Sequence, residues 1–196
     1  TYAGYPQVVR EPVLSGARSL DFFTGTGYSN HAALRPVADP SQYILSFYAY
    51  CGNSEASNRS YGVMQVGVMT NPDRGETFVP VDTVVLTATN KWQRVYADLR
   101  RYTGDPNPDG LYIALRFTPR NTGYHYYIDN LYLGCCVVSS ATATTTEQGI
   151  QVTYSTLGNA SGVLARWGGP GLTPNLARSF TLLGASPTIV NGMIPG

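Results

Sequence analysis

The side chains able to do chemistry are few in this chain of 196 residues, and their spacing excludes most reactions. The only two histidines, His31 and His125, are far apart, and none of the three cysteines, Cys51, Cys135 and Cys136, has a base beside it in the sequence. A hydrolytic triad needs nucleophile and base within hydrogen-bond reach, and no Gly-x-Ser-x-Gly elbow is present to expose a serine. Neither Cys-x-x-Cys nor His-x-x-x-His occurs, so a tetrahedral zinc centre is not expected. Asp105 and Asp109 stand in the Pro/Gly-rich stretch 103–110, where turn formation accounts for them without glycosidase chemistry. The expectation is a protein that is not an enzyme.

What remains is chemistry of recognition. Aromatic faces stack on sugar rings, while arginines and short polar side chains reach hydroxyl groups. Tyr28, His31, Arg59, Tyr61, Arg74, Tyr124, His125 and Tyr126 are loop or strand-edge residues of these types and form the candidate ligand-binding set. Tyrosine is also a favoured strand residue, and a given tyrosine is more often a cover for its neighbour than a ligand contact. Trp92 and Trp167, each beside a strand start, are assigned to packing. Cys135 and Cys136 are adjacent; the reading for the cysteines is free thiols or a strained vicinal pair, ahead of a bridge to Cys51.

One stretch combines these groups with a carboxylate. Tyr124–Leu133 reads as a long closing strand whose alternation places His125, Tyr127, Asp129, Leu131 and Leu133 on one face. The other face carries Tyr124, Tyr126, Ile128, Asn130 and Tyr132. If the leucines enter a core then Asp129 enters with them, and it must be satisfied by backbone donors, a cationic side chain or a metal ion.

The elements that would position these groups are strands. Tyr43–Tyr50 has Tyr43, Leu45, Phe47 and Ala49 on one face and Ile44, Ser46, Tyr48 and Tyr50 on the other, which suits a sheet interior. Leu111–Phe117 alternates cleanly, with Leu111, Ile113, Leu115 and Phe117 inward. Met64, Val66 and Val68 share a face within Tyr61–Thr70, and Val95, Ala97 and Leu99 share one within Lys91–Leu99. Short strands are also expected at Gln7–Arg10, Ala17–Phe23, Ala32–Arg35 and Val81–Thr89. Turn signals recur every 8–12 residues, and no 3.6-residue apolar period is sustained, so two packed antiparallel sheets are expected. Composition changes at Gly134, after which a run of small and β-branched residues opens a second β domain near residue 136.

Charged residues make up only 13%, against 43% hydrophobic, with 15 tyrosines, 21 glycines and 13 prolines. A net charge of +1 offers no electrostatic footprint for nucleic acid or an anionic membrane. No apolar run approaches the 18 residues of a membrane span, so membrane insertion is not expected. The low charge and the abundance of Tyr, Thr, Ser, Asn and Gly point to a secreted or cell-surface setting.

The order Gly16-Ala17-Arg18-Ser19-Leu20, Leu45-Ser46-Phe47-Tyr48-Ala49, Val66-Gly67-Val68-Met69-Thr70-Asn71-Pro72, Phe78, Trp92, Asp98-Leu99-Arg100-Arg101-Tyr102, Leu111-Tyr112-Ile113-Ala114-Leu115-Arg116 and Tyr127-Ile128-Asp129-Asn130-Leu131 resembles the galactose-binding-like jelly rolls. These occur in carbohydrate-binding modules, MAM-type domains and cleaved-adhesin domains of Bacteroidetes-type surface proteins. The resemblance covers residues 1–135 and implies a noncatalytic binding or adhesion module whose partner is a glycan or host polymer. It also implies a structural calcium ion, because the Asp of the last strand is often a ligand there, which maps onto Asp129. The family usually supplies an acidic ligand near the N-terminus; residues 1–10 have none, and Glu11 is followed by Pro12. Capping of backbone amides or pairing with an arginine stands as the alternative for Asp129. Residues 136–196 carry Ile150-Gln151-Val152-Thr153-Tyr154, the run Val163–Leu172 and the run Ser186–Gly196, and look like the front part of a fibronectin type III domain. They stop where its sixth strand would begin, so the expectation is a piece of a larger multidomain protein whose other domains are partners. The alternative function is a structural spacer that positions a catalytic or adhesive domain elsewhere in the parent protein.

Overall fold

The computed structural model describes residues 5–23, 28–52, 62–86, 88, 90–119, 125–158, 160, 162–167, 179–183 and 185–190. The chain divides into two compact units, Thr1–Gly134 and Cys135–Gly196. Among the described residues the first contains nine strands: β1 (Gln7–Val9), β2 (Ser19–Phe23), β3 (Asn30–Val37), β4 (Ile44–Gly52), β5 (Gly62–Met69), β6 (Val79–Val84), β7 (Gln93–Asp98), β8 (Leu111–Pro119) and β9 (His125–Gly134). They form a five-stranded sheet in the order β1-β2-β9-β4-β7 and a four-stranded sheet in the order β3-β8-β5-β6.

The pairing follows a simple rule. β2 pairs β9, β3 pairs β8, β4 pairs β7 and β5 pairs β6, all antiparallel. The chain is therefore one long hairpin folded at the β5–β6 turn and then rolled, so that alternate pairs fall in opposite sheets. Contacts of β9 with β4 and of β8 with β5 close the roll. That is the jelly roll: eight strands in two nested antiparallel layers, with β1 added at one edge.

Sequence alternation explains which side chains fill the space between the layers. Leu45, Phe47 and Ala49 of β4, Met64, Val66 and Val68 of β5 and Ile113, Leu115 and Phe117 of β8 are essentially inaccessible and meet Phe22 and Ile128 in one cluster. Each large side chain removed from water there contributes roughly 1.5–3 kcal/mol. β8 is partly covered on its other face as well. Met69, Phe78 and Ala114 form a small second cluster, and the Arg116 guanidinium lies 4.1 Å from the centre of the Phe78 ring. The close approach of Phe78 requires Gly67, where a Cβ would run into the Val79 carbonyl and the Phe78 ring. Proline marks the edges of the four-stranded sheet. Pro36 sits in β3 beyond a register shift and Pro80 in β6 beside another, both on edge strands, where proline is tolerated.

One register fault changes the reading of the closing strand. Between Ser46↔Tyr132 and Tyr48↔Asp129, β9 carries one more residue than β4, and Asn130 adopts φ 51°. This is a β-bulge with its left-handed residue at an asparagine. Before it, Tyr126 and Ile128 point into the core; after it, Leu133 packs against the core while Leu131 and Tyr132 are exposed. The expected single alternating face from His125 to Leu133 therefore breaks at Asn130, because the extra residue shifts the phase by one.

The second unit contains β10 (Cys136–Thr146), β11 (Gly149–Gly158), β12 (Val163–Trp167), β13 (Ser179–Leu183) and β14 (Thr188–Val190). β10-β11-β14 form one antiparallel sheet, and β12-β13 pair as a second. Val137, Leu183 and Val190 are its buried apolar residues among those described.

Candidate functional site

Three of the eight ligand-binding candidates, Arg59, Tyr61 and Tyr124, lie outside the described residues, as does the side chain of Trp167. The other five are not brought together. Tyr28 is exposed just ahead of β3. His31, in β3, bonds through Nε2 to the Pro72 carbonyl at 2.9 Å and so ties the 71–77 turn to the sheet, with exposed Arg74 in that turn. His125 lies in the other sheet. Tyr126 is a correction: it is 4% exposed, tilted against Phe117 at 5.4 Å, with its hydroxyl buried and without a partner among the described residues. As the residue next to His125 on a pleated strand it must face the opposite way, into the core.

His125 belongs to an aromatic row on the outer face of the five-stranded sheet. Its ring stacks on Phe23 of β2 at 4.4 Å and 18°, and on Tyr127 of the same strand at 5.6 Å and 5°. Tyr127 meets Tyr50 of β4 at 5.9 Å, and Tyr50 meets Trp92, just before β7, at 5.4 Å. Beside this row, the Arg94 guanidinium sits 5.1 Å from the Tyr96 ring and 6.0 Å from the Tyr48 ring. Phe23, Tyr48, Tyr50, Trp92, Tyr96, His125 and Tyr127 are all partly exposed, and Arg94 is exposed. Trp92, assigned to packing from the sequence, thus stands at one end of an open face.

A buried carboxylate supports the row. Asp21 of β2, 7% exposed, lies 2.8 Å through Oδ2 from His125 Nδ1. Burial raises the Asp21 carboxyl above its ordinary range, and the His125 contact opposes that rise. Burial likewise pushes the Tyr127 hydroxyl up to about 12, with the nearby Asp21 charge adding to it. The Tyr127 hydroxyl therefore stays protonated at neutral pH as a donor, and the imidazole is held in orientation by its contact with Asp21. Parallel rings shield one another's faces, so the row presents ring edges, hydroxyls, one imidazole edge and the tilted indole. Such a surface suits a flat ligand with many hydroxyl groups. It crosses four strands, about 14 Å at the usual spacing between neighbours, which is the scale of an oligosaccharide.

Two pockets are formed by the described residues alone. A shallow pocket of about 200 Å³ beside Val8, Arg18, Leu20, Ile128, Asn130 and Leu131 falls below the range of typical ligand cavities. One of about 340 Å³ in the second unit is lined by Tyr154, Thr156, Ala160, Val163, Leu183 and Ala185, with no charged group.

Asp129 is 9% exposed and serves the backbone. Its Oδ2 accepts the Leu14 and Ser15 amides at 2.8 and 3.1 Å, and its Oδ1 accepts the Asn130 amide at 2.7 Å. The Ser15 hydroxyl bonds to the Asn130 side chain at 2.7 Å, closing the same corner. Three N–H groups converging on both oxygens suit an anion, and no group of three or more His, Cys, Asp or Glu able to hold a metal occurs among the described residues. These three bonds are the backbone capping that stood as the alternative to calcium for Asp129.

The sequence signal for this row is the second face of the central strands. Tyr48 and Tyr50, Arg94 and Tyr96, and His125 and Tyr127 each alternate with core residues, which puts polar and aromatic side chains together on the opposite face. No helix among the described residues is long and apolar enough to cross a membrane. No family model matches the chain, and no curated protein does. Among solved structures the chain is similar to the family 30 carbohydrate-binding module of a Clostridium thermocellum cellulosomal cellulase, at 19% identity over 68% of this chain and 83% of that one, with a TM-score of 0.47. It is also similar to the K1 cleaved adhesin domain of Lys-gingipain from Porphyromonas gingivalis, at 14% identity over 67% and 83%, with a TM-score of 0.46. A third likeness is the xylan-binding domain from Paenibacillus barcinonensis, at 14% identity over 66% and 79%, with a TM-score of 0.42.

Proposed function

We propose that the jelly-roll unit is a noncatalytic carbohydrate-binding module of a secreted or surface protein, and that its glycan lies across the outer face of the five-stranded sheet. The observation that carries this reading is the continuous row Phe23–His125–Tyr127–Tyr50–Trp92, backed by a buried carboxylate and flanked by Arg94. Core packing does not require polar aromatic side chains on a face that water reaches. Recognition would be reversible, with the indole and ring edges meeting the apolar face of the sugar and the phenols, imidazole and guanidinium meeting its hydroxyls. The second unit would be a fibronectin-like spacer; three strands in the order β10-β11-β14 and a separate β12-β13 pair accord with the front of such a sandwich.

Retention of the whole chain on a panel of polysaccharides tests the proposal. Trp92→Ala and Tyr50→Ala should each weaken binding about tenfold or more, at roughly 1–3 kcal/mol per stacking ring. Retention that survives both substitutions but disappears in Tyr28→Ala or Arg74→Ala would move the site to the other sheet. Retention of the chain by no polysaccharide would favour the spacer reading.

A further inference from the structure

We propose that Cys135 and Cys136 form a two-thiolate chelating site for a soft, thiophilic cation of the zinc or cadmium type. The two sulfurs lie 3.9 Å apart, Cys135 is exposed and Cys136 half-buried, and neither is in a disulfide. Two chemistries compete for such a pair, and distance separates them. A disulfide needs sulfurs at about 2.05 Å and α-carbons usually 4.4–6.8 Å apart, whereas neighbours across a trans peptide have theirs at about 3.8 Å. Closing this pair on itself would therefore strain the backbone. Two sulfurs bound at about 2.3 Å to one tetrahedral ion stand about 3.8 Å apart, which is close to the separation already present.

The backbone is also held in place. Cys136 pairs with Gly158 in the β10–β11 ladder, and Gly158, at φ +85°, presses on the Cys135 carbonyl so closely that a Cβ there would collide with it. The β10 start thus presents both sulfurs without a large rearrangement. Since no third His, Cys, Asp or Glu joins them among the described residues, solvent or an external thiol would complete the coordination. Each thiol gives up its proton to solvent as its sulfur binds, with no change of oxidation state.

The site is tested on the full, reduced chain by counting thiols that react rapidly with an aromatic disulfide reagent, with and without cadmium. Two rapid thiols are expected, both protected at no more than one equivalent of cadmium, with a sulfur-to-metal charge-transfer absorption rising in step. Cys135→Ser and Cys136→Ser should each abolish the absorption, and Cys51→Ala should leave it. The inference is overturned if the two thiols remain reactive at saturating cadmium, if the absorption persists in either serine variant, or if air oxidation converts the pair to a disulfide that mild reductant does not reopen.

Discussion

Removal of the Asp129 carboxylate is the sharpest test of how the roll is closed. In Asp129→Ala three backbone amides, those of Leu14, Ser15 and Asn130, lose their acceptor at once. A hydrogen bond to a charged group contributes about 1.5–3 kcal/mol net, but these contacts are part-buried and water can reach the freed amides. The discounted loss is about 1 kcal/mol per bond, or about 3 kcal/mol in all. For a chain of this size that corresponds to a fall in Tm of about 6–12 °C. Thermal melts followed by circular dichroism read the total, and amide hydrogen exchange reads the site, where Leu14 and Ser15 should lose protection while the β4–β7 ladder keeps its own. Melts of the unsubstituted chain in calcium and in chelator should coincide. A drop below about 1 °C in the variant would refute the capping argument, and a calcium-dependent rise of several degrees would return the carboxylate to a cation.

Three further outcomes follow from the packing and the charges. Gly67→Ala should cost about 1–3 kcal/mol, read as a lower urea midpoint, because its Cβ meets the Val79 backbone as well as the Phe78 ring and the backbone must move. Tyr126→Phe removes a buried hydroxyl that has no partner among the described residues, so stability should hold or rise by up to about 1 kcal/mol with glycan retention unchanged; a clear loss would show that the hydroxyl is bonded after all. Asp98 is held below its ordinary carboxyl value of 3.8 by its bonds to Arg100, so its contribution is complete above that value and is lost as pH falls through the lower folded one. Asp98→Asn should therefore flatten the acid limb of the stability profile, by less than about 1 kcal/mol because the pair is partly exposed; an unchanged limb would contradict the assignment.

Much of the architecture was legible in the chain because a strand's period of two survives tertiary context. Leu111, Ile113, Leu115 and Phe117 face the core as their spacing required, and so do Leu45, Phe47 and Ala49. What alternation cannot register is an inserted residue. Asn130 resets the phase of β9, and nothing in Asp129-Asn130-Leu131 announces a bulge except an asparagine that tolerates a left-handed backbone. The aromatic face proposed for binding was harder still. Its rings come from Phe23, Tyr50, Trp92, His125 and Tyr127, scattered over a hundred positions and adjacent only because β2, β9, β4 and β7 are neighbours in space. Reading loops and strand ends for exposed aromatics selected Tyr28 and Tyr126 instead, and only a known strand order separates a half-open sheet face from a core.

The nested pairing of strands also has a kinetic meaning. Leu14 and Asp129 are 115 positions apart, so the bond between them closes a long loop and its formation is expected after the more local pairings. Folding dominated by such distant contacts is slow, because loop entropy is spent before the contacts return it. The Asp129 corner, where the Leu14 and Ser15 amides meet β9, closes one of the longest loops of the roll. Its amides would report a late event of folding, and a chain halted before that step would expose the β2 and β9 ladder edges to its neighbours.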